Sequence, residues 1–126
     1  MDTRWLAGFF DGDGCVFIGP DHTGYPRLRI HIVQKELSIL EEIAERYGGT
    51  LNTTNVAKTV WQLSLHKKKE SYEFVMDILP HSRIKTKQLW CAKALLERPN
   101  MQGSKLSDKE RALRKRIMIA CKNLKH

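Results

Sequence analysis

Leu6-Ala7-Gly8-Phe9-Phe10-Asp11-Gly12-Asp13-Gly14 reads as a short apolar helix that stops abruptly among acidic residues and glycines. Gly8 and Gly12 are four residues apart, so they share one helix face and leave it without side chains. Such a face lets a second helix approach backbone to backbone. Leu6, Phe9 and Phe10 cover the remaining surface and suit a core. Asp13 stands at the helix C-terminus, where the last carbonyls carry partial negative charge and favour a cation. Gly14 suits the left-handed conformation that ends a helix and turns the chain into a strand. A plain solvated turn accounts for Asp-x-Asp-Gly but not for the bare face just before it. A calcium loop of the EF-hand type fails because Cys15 sits where the third oxygen ligand is needed.

Working outward, Cys15 to Ile18 is a β-rich run, and Gly19 to Pro26 supplies turn residues. Arg27, Arg29 and His31 then alternate with Leu28, Ile30 and Ile32, a half-buried strand with one cationic face. Leu37, Leu40, Ala44 and Tyr47 recur at helical spacing until Gly48-Gly49. The pattern then repeats. Thr50 to Asn55 and Thr59 to His66 read as strands, and a helix carrying Phe74, Val75, Ile78 and Leu79 stops at Pro80. A further helix carries Leu89, Ala92, Leu95 and Leu96 and ends before Pro99, and Asn100 to Lys105 is a linker. Ser107 to Glu110 is a capping box opening a last helix, with Leu113, Ile117, Ala120, Cys121 and Leu124 as its apolar stripe. Its flank of Arg111, Arg114, Lys115, Arg116 and Lys122 is first read as a solvated face. The order is α+β, αββαββα, with a four-stranded antiparallel sheet backed by helices. One domain over 1–126 is expected, with a core at 1–98 and a C-terminal helix at 106–125.

The 126 residues carry a formal net charge of +8, which favours a polyanionic partner. No apolar run approaches membrane length and no signal segment is recognised, so no membrane partner is expected. Cys15, Cys91 and Cys121 are odd in number and lack C-x-x-C spacing, which fits free thiols in a reducing intracellular compartment. The five histidines show no zinc-ligand spacing. Nucleophile elbow, Walker loop and Rossmann fingerprint are all absent from the sequence.

The stretch from Leu6 to Gly14 resembles the LAGLIDADG motif of homing endonucleases, above all the single-motif, homodimeric members, and the resemblance spans about Trp5 to Leu96. It implies that Asp13 binds Mg²⁺ (Mn²⁺ or Ca²⁺ substituting for binding), helped by the Gly12 backbone carbonyl. Asp11 matches the earlier acidic position and is read as structural rather than as a primary ligand. Gln34 and Lys85 match the Gln and Lys that organise solvent at the scissile phosphate in similar members. Ser38 stands where close relatives often carry an Arg, so a basic group near the site is missing or comes from elsewhere, such as Arg83.

One motif supplies a single carboxylate, too few for two DNA strands. A two-fold dimer through Leu6, Ala7, Gly8, Phe9, Asp11 and Gly12 brings Asp13 and its counterpart together. Two carboxylates that close repel unless cations lie between them. The sheet is expected to read double-stranded DNA in the major groove. Its candidate contacts are Arg27, Arg29 and His31, then Asn52, Thr54, Lys58, Gln62 and Ser64, with Lys87 beyond the sheet. Cys15 and Phe17 are ambiguous, because both faces of the first strand are apolar. The function implied is a Mg²⁺-dependent, site-specific DNA endonuclease cutting a long pseudo-palindromic site. The rival is a non-cleaving binding protein of the same fold, either an RNA maturase or a DNA-binding regulator.

Overall fold

In the computed structural model, which describes residues 1–99 and 106–124, the motif stretch forms helix α1 (Thr3–Asp13). Asp2 caps it by accepting the Arg4 N–H at 2.7 Å. Gly14 ends it by donating its N–H to the Phe10 carbonyl. The expected left-handed turn is not there: Gly14 is extended, with φ −87° and ψ 165°. Glycine is required for room instead, because a Cβ would run into the Phe10 ring. The chain therefore passes from helix straight into strand, which holds Asp13 at the junction of the two.

Strand β1 (Gly14–Pro20) pairs antiparallel with β2 (Pro26–Gln34), with Cys15 opposite His31 and Phe17 opposite Arg29. Helix α2 (Leu37–Tyr47) follows and stops at Gly48 and Gly49, whose φ values of 99° and 100° suit glycine alone. Strands β3 (Thr50–Thr53) and β4 (Trp61–Leu65) complete the sheet in the order β1-β2-β4-β3. Both are shorter than the sequence suggested. Asn55 folds the connection into a turn, accepting the Thr59 N–H at 3.0 Å and donating to the Thr59 hydroxyl at 2.7 Å. Lys58, expected on the fourth strand, sits in this turn with φ 57°.

Helix α3 (Lys68–Ile78) runs into a single 3-10 turn at Leu79–His81, and α4 (Thr86–Leu96) and α5 (Asp108–Asn123) close the structure. The αββαββα order and the four-stranded antiparallel sheet are as expected. The linker at 100–105 and the expected helix end at Lys125 lie outside the described residues. Among the described residues no helix is long and apolar enough to cross a membrane.

The inner face of the sheet buries Val16, Ile18, Leu28, Ile30, Ile32, Leu63 and Leu65. The helices cover it with Leu6 and Phe10 from α1, Leu40 and Ile43 from α2, Phe74 and Ile78 from α3, Leu89 from α4 and Cys121 from α5. Phe10 meets Phe74 edge-on at 5.3 Å, and Phe74 meets Tyr47 in the same way at 5.2 Å. Phe10 is fully buried and ties the motif helix to the rest of the core. Phe10→Ala should therefore cost about 3–5 kcal/mol of unfolding free energy. Urea titration of the two proteins checks this; a loss below about 1 kcal/mol would mean that α1 is not anchored through this ring.

At α5 only half of the capping box forms. The Ser107 hydroxyl accepts the Glu110 N–H at 3.1 Å, but the Glu110 side chain does not reach back. Arg98 takes it in a two-pronged contact, both bonds at 2.8 Å, and Arg114 adds a third at 3.0 Å. The Arg98 guanidinium, aided by Arg114, holds this carboxyl down at about 2. The apolar stripe is narrower than expected: Cys121 is buried, Leu113 and Ile117 are half-buried, and Ala120 and Leu124 are exposed. The basic flank divides. Arg114 turns inward to Glu110 and the Pro99 carbonyl, Arg111 lies over the Tyr25 ring, and Lys115, Arg116 and Lys122 face solvent.

Candidate metal centre and nucleic-acid interface

Three elements deliver side chains to the C-terminal end of α1. Asp13 is the last residue of that helix, and its exposed carboxylate accepts from the Gln34 side-chain amide at 3.1 Å through one oxygen. Gln34 is itself held, because its Oε1 accepts the backbone N–H groups of Lys35 and Glu36 at 2.9 and 3.3 Å. The start of α2, where Glu36 makes no side-chain cap, thereby fixes the amide that steers Asp13. Lys85, at the start of α4, donates its Nζ to the Asp11 carbonyl at 2.6 Å. An ammonium there complements the negative end of the α1 dipole. Asp13, Gln34 and Lys85, scattered over the sequence, thus converge at one helix terminus.

Asp11, read from the sequence as structural, spends its carboxylate on bonds within the protomer. Its carboxylate accepts from the Ser82 hydroxyl at 2.6 Å and from the N–H groups of Arg83, Ile84 and Lys85 at 2.7, 3.2 and 3.2 Å. It is the acceptor for the turn that opens α4, which lacks a side-chain cap of its own. Burial pushes this carboxyl up, but the bonds from Arg83, Ser82, Ile84 and Lys85 outweigh it and hold the group below the usual range. A carboxyl depressed in the folded state contributes stability that is present above its unfolded value of 3.8 and is lost as pH falls through its folded value. Asp11→Asn, which cannot match four bonds, should lose roughly 1–3 kcal/mol at neutral pH and show a smaller further loss between neutral and acid pH. Urea titrations at neutral and acid pH check this, and parallel stability curves for the two proteins would contradict it.

The exposed face of α1 differs in part from the expected one. Gly8 and Gly12 are exposed, and a Cβ on either would meet nothing within 4 Å. Beside them Trp5, 48% exposed, stacks on half-buried Phe9 at 5.2 Å. Leu6, Ala7 and Asp11, also expected on a helix–helix interface, are buried inside the protomer and have no surface to offer. The helix turns 100° per residue, so Leu6, Ala7 and Phe10 point to the sheet while Trp5, Gly8 and Gly12 point away. Trp5 was missed because it precedes the motif; its spacing of three residues from Gly8 was the available signal.

Register places most of the expected reading residues on one outward sheet face. Arg27, Arg29 and His31 line β2, His31 stands opposite Ser64, and Asn52 stands opposite Gln62. Cys15 and Phe17 share this face, which settles their orientation: Val16 and Ile18 point inward. Thr54 follows β3 and bonds back to the Val60 carbonyl through both N–H and hydroxyl. Lys58 is carried by the β3–β4 turn, and Lys87 is exposed on the first turn of α4, off the sheet as expected from its place in the sequence. Ser38 donates to Glu36 at 3.3 Å, and Arg83 is exposed near the end of α1 through its N–H bond to Asp11.

Among the described residues no group of three or more His, Cys, Asp or Glu side chains gathers to hold a metal. At the end of α1 one copy brings the exposed Asp13 carboxylate, held by Gln34, with the backbone carbonyls of the last helical turn beside it. Oxygen donors of this kind suit a hard divalent cation, and a second copy would double them.

Residues 6–97 match the family described as LAGLIDADG endonuclease. No curated protein matches the chain. Among solved structures, the homing endonuclease I-TnaI is similar at 21% identity with a TM-score of 0.74, over 99% of this chain and 94% of that one. I-CvuI, in complex with its target in the presence of 2 mM Ca, is 19% identical with a TM-score of 0.73, over 98% of this chain and 79% of that one. The archaeal intron-encoded I-Vdi141I, complexed with DNA, is 17% identical with a TM-score of 0.73, over 98% and 81%. A further I-CvuI structure holds the I-CreI target in 2 mM Mg with the DNA not cleaved. At these identities the likeness is one of fold.

Proposed function

Because the chain belongs to the LAGLIDADG endonuclease family, we propose that it acts as a homodimeric, site-specific DNA endonuclease that hydrolyses phosphodiester bonds with a divalent cation. The observation that carries this reading is the placement of Asp13. An exposed carboxylate, steered by Gln34, ends a helix that presents a bare and exposed glycine face. Packing two such faces about a two-fold axis brings two Asp13 side chains near that axis and sets two cationic sheets side by side.

In this reading Asp13, its counterpart in a second copy and the Gly12 carbonyl hold the cation. The chemistry it supplies when bound is polarisation of the scissile phosphate and of the attacking water. Gln34 keeps the Asp13 carboxylate oriented, so little reorganisation is needed as charge develops. Lys85 places a fixed positive charge at the same helix end, suited to the negative charge that grows on the phosphate oxygens. The outward sheet face, with Arg27, Arg29 and His31 in line, lies along the major groove of a half-site, where base edges carry a distinguishable code. Exposed Lys58 and Lys87 flank it as phosphate contacts, which position without specifying.

Cleavage selection on a randomised pseudo-palindromic DNA library with Mg²⁺ tests the proposal. The expected result is enrichment of one two-fold-symmetric site cut on both strands. Enrichment by binding with no cutting in Mg²⁺ or Mn²⁺ would replace it with the binding-protein reading.

A further inference from the structure

The turn between β1 and β2 holds a carboxylate for which the proposed cleavage has no use. Asp21 Oδ1 accepts the Thr23 N–H at 2.8 Å, the Thr23 hydroxyl and the Tyr25 N–H at 3.1 Å. Its other oxygen accepts from Arg27 Nε at 3.2 Å. The Asp21 side chain is only 14% exposed, whereas that of Arg27 is 68% exposed. The bonds from Thr23, above all its hydroxyl, hold this carboxyl well below the usual range, so it stays charged at any working pH. Arg29, two residues along the same face, makes no ion pair among the described residues.

A guanidinium tied through Nε keeps its two terminal nitrogens as a free edge. That planar edge matches O6 and N7 of guanine, and holding it in place beforehand removes rotamer freedom that would otherwise be lost on binding. We infer that Asp21 is a specificity-determining residue, fixing Arg27 as a guanine reader at an outer position of each half-site. This rests on the reading of the sheet as a DNA-binding face. Register gives the position. Gly14, next to Asp13, pairs with Ile32, and Gly19, five residues further along β1, pairs with Arg27. Five strand residues span roughly 17 Å, or about five base-pair steps at about 3.4 Å each. The guanine therefore lies about five base pairs or more outward from the Asp13 end of each half-site.

The test uses the full-length dimer and the site recovered by selection, with each base placed in turn at the outer positions. Wild type should prefer guanine at one symmetric pair of them by about 5- to 150-fold. Replacement by 7-deazaguanine, which lacks N7, should abolish most of that preference, as a phosphate contact would not. Asp21→Asn keeps an oxygen for Thr23 and Tyr25 but presents an amide to Arg27, so guanine preference should collapse at that pair alone. Arg27→Ala, which leaves the Asp21 bonds to Thr23 and Tyr25 in place and removes every donor that could reach guanine, should give the same local collapse even if Asp21→Asn perturbs folding. Cutting by wild type with no outer guanine preference would overturn the inference while leaving the nuclease reading standing. So would a preference that survives Arg27→Ala, or one that a stably folded Asp21→Asn leaves unchanged. A wild type that neither binds nor cuts DNA would overturn the nuclease reading, and this inference with it.

Discussion

The Asp13→Asn protein should bind its DNA site as tightly as wild type and fail to cut it. Asparagine keeps the shape of the side chain and an oxygen for the Gln34 amide, which donates at 3.1 Å, so the end of α1 and the start of α2 stay in place. What is lost is charge, and in a homodimer it is lost twice, because both copies carry the change. Removing a single preorganised electrostatic partner from a transition state typically costs about 10²–10³ in rate, and losing both carboxylates should exceed that. Binding should be unchanged or slightly tighter, since two negative charges have been taken from a surface that the proposed complex turns toward phosphates. Single-turnover cleavage beside gel-shift titration separates the two effects. Equal losses of cutting and binding would mean that Asp13 supports the structure rather than the chemistry.

Gly8→Leu should stabilise the protomer and destroy the dimer. A Cβ on Gly8 meets nothing within 4 Å, so the side chain has room in one copy. Leucine also favours a helix interior over glycine, by somewhat less than the roughly 0.8–1 kcal/mol that separates alanine from glycine. Between two copies the same side chain would stand where two backbones must approach. Sedimentation should therefore show a dimer for wild type and a monomer for Gly8→Leu, with thermal stability of the isolated subunit retained and cleavage lost. A Gly8→Leu protein that still sediments as a dimer would move the interface elsewhere on the molecule.

Much of the fold was legible because short-range physics decides it. The alternation from Arg27 to Ile32 can only be a strand with one wet face, and the structure has it at Pro26–Gln34. Gly48-Gly49 ends α2 where positive φ is needed, as the sequence indicated. Gly14 was misread for a different reason. Its glycine answers to the Phe10 ring, and a steric need imposed by a neighbouring side chain leaves no mark on local backbone preference.

The site divides along the same line. Residue type and spacing alone determined the bare glycine face of α1, the carboxylate at its end and the cationic face of β2, because helix and strand periodicity assign each residue to a side. Which of these groups meet was set by packing between elements far apart in the sequence. Gln34 reaches Asp13 across 21 positions, Lys85 reaches the Asp11 carbonyl across 74, and Asp11 turns away from the exposed helix face to hold the first turn of α4. Ala7 likewise became core, beside Leu6, because the packed elements claim that side of the helix. Periodicity states that a helix has two faces; which face is wet, and which distant side chain lies against it, follows only when the other elements have packed.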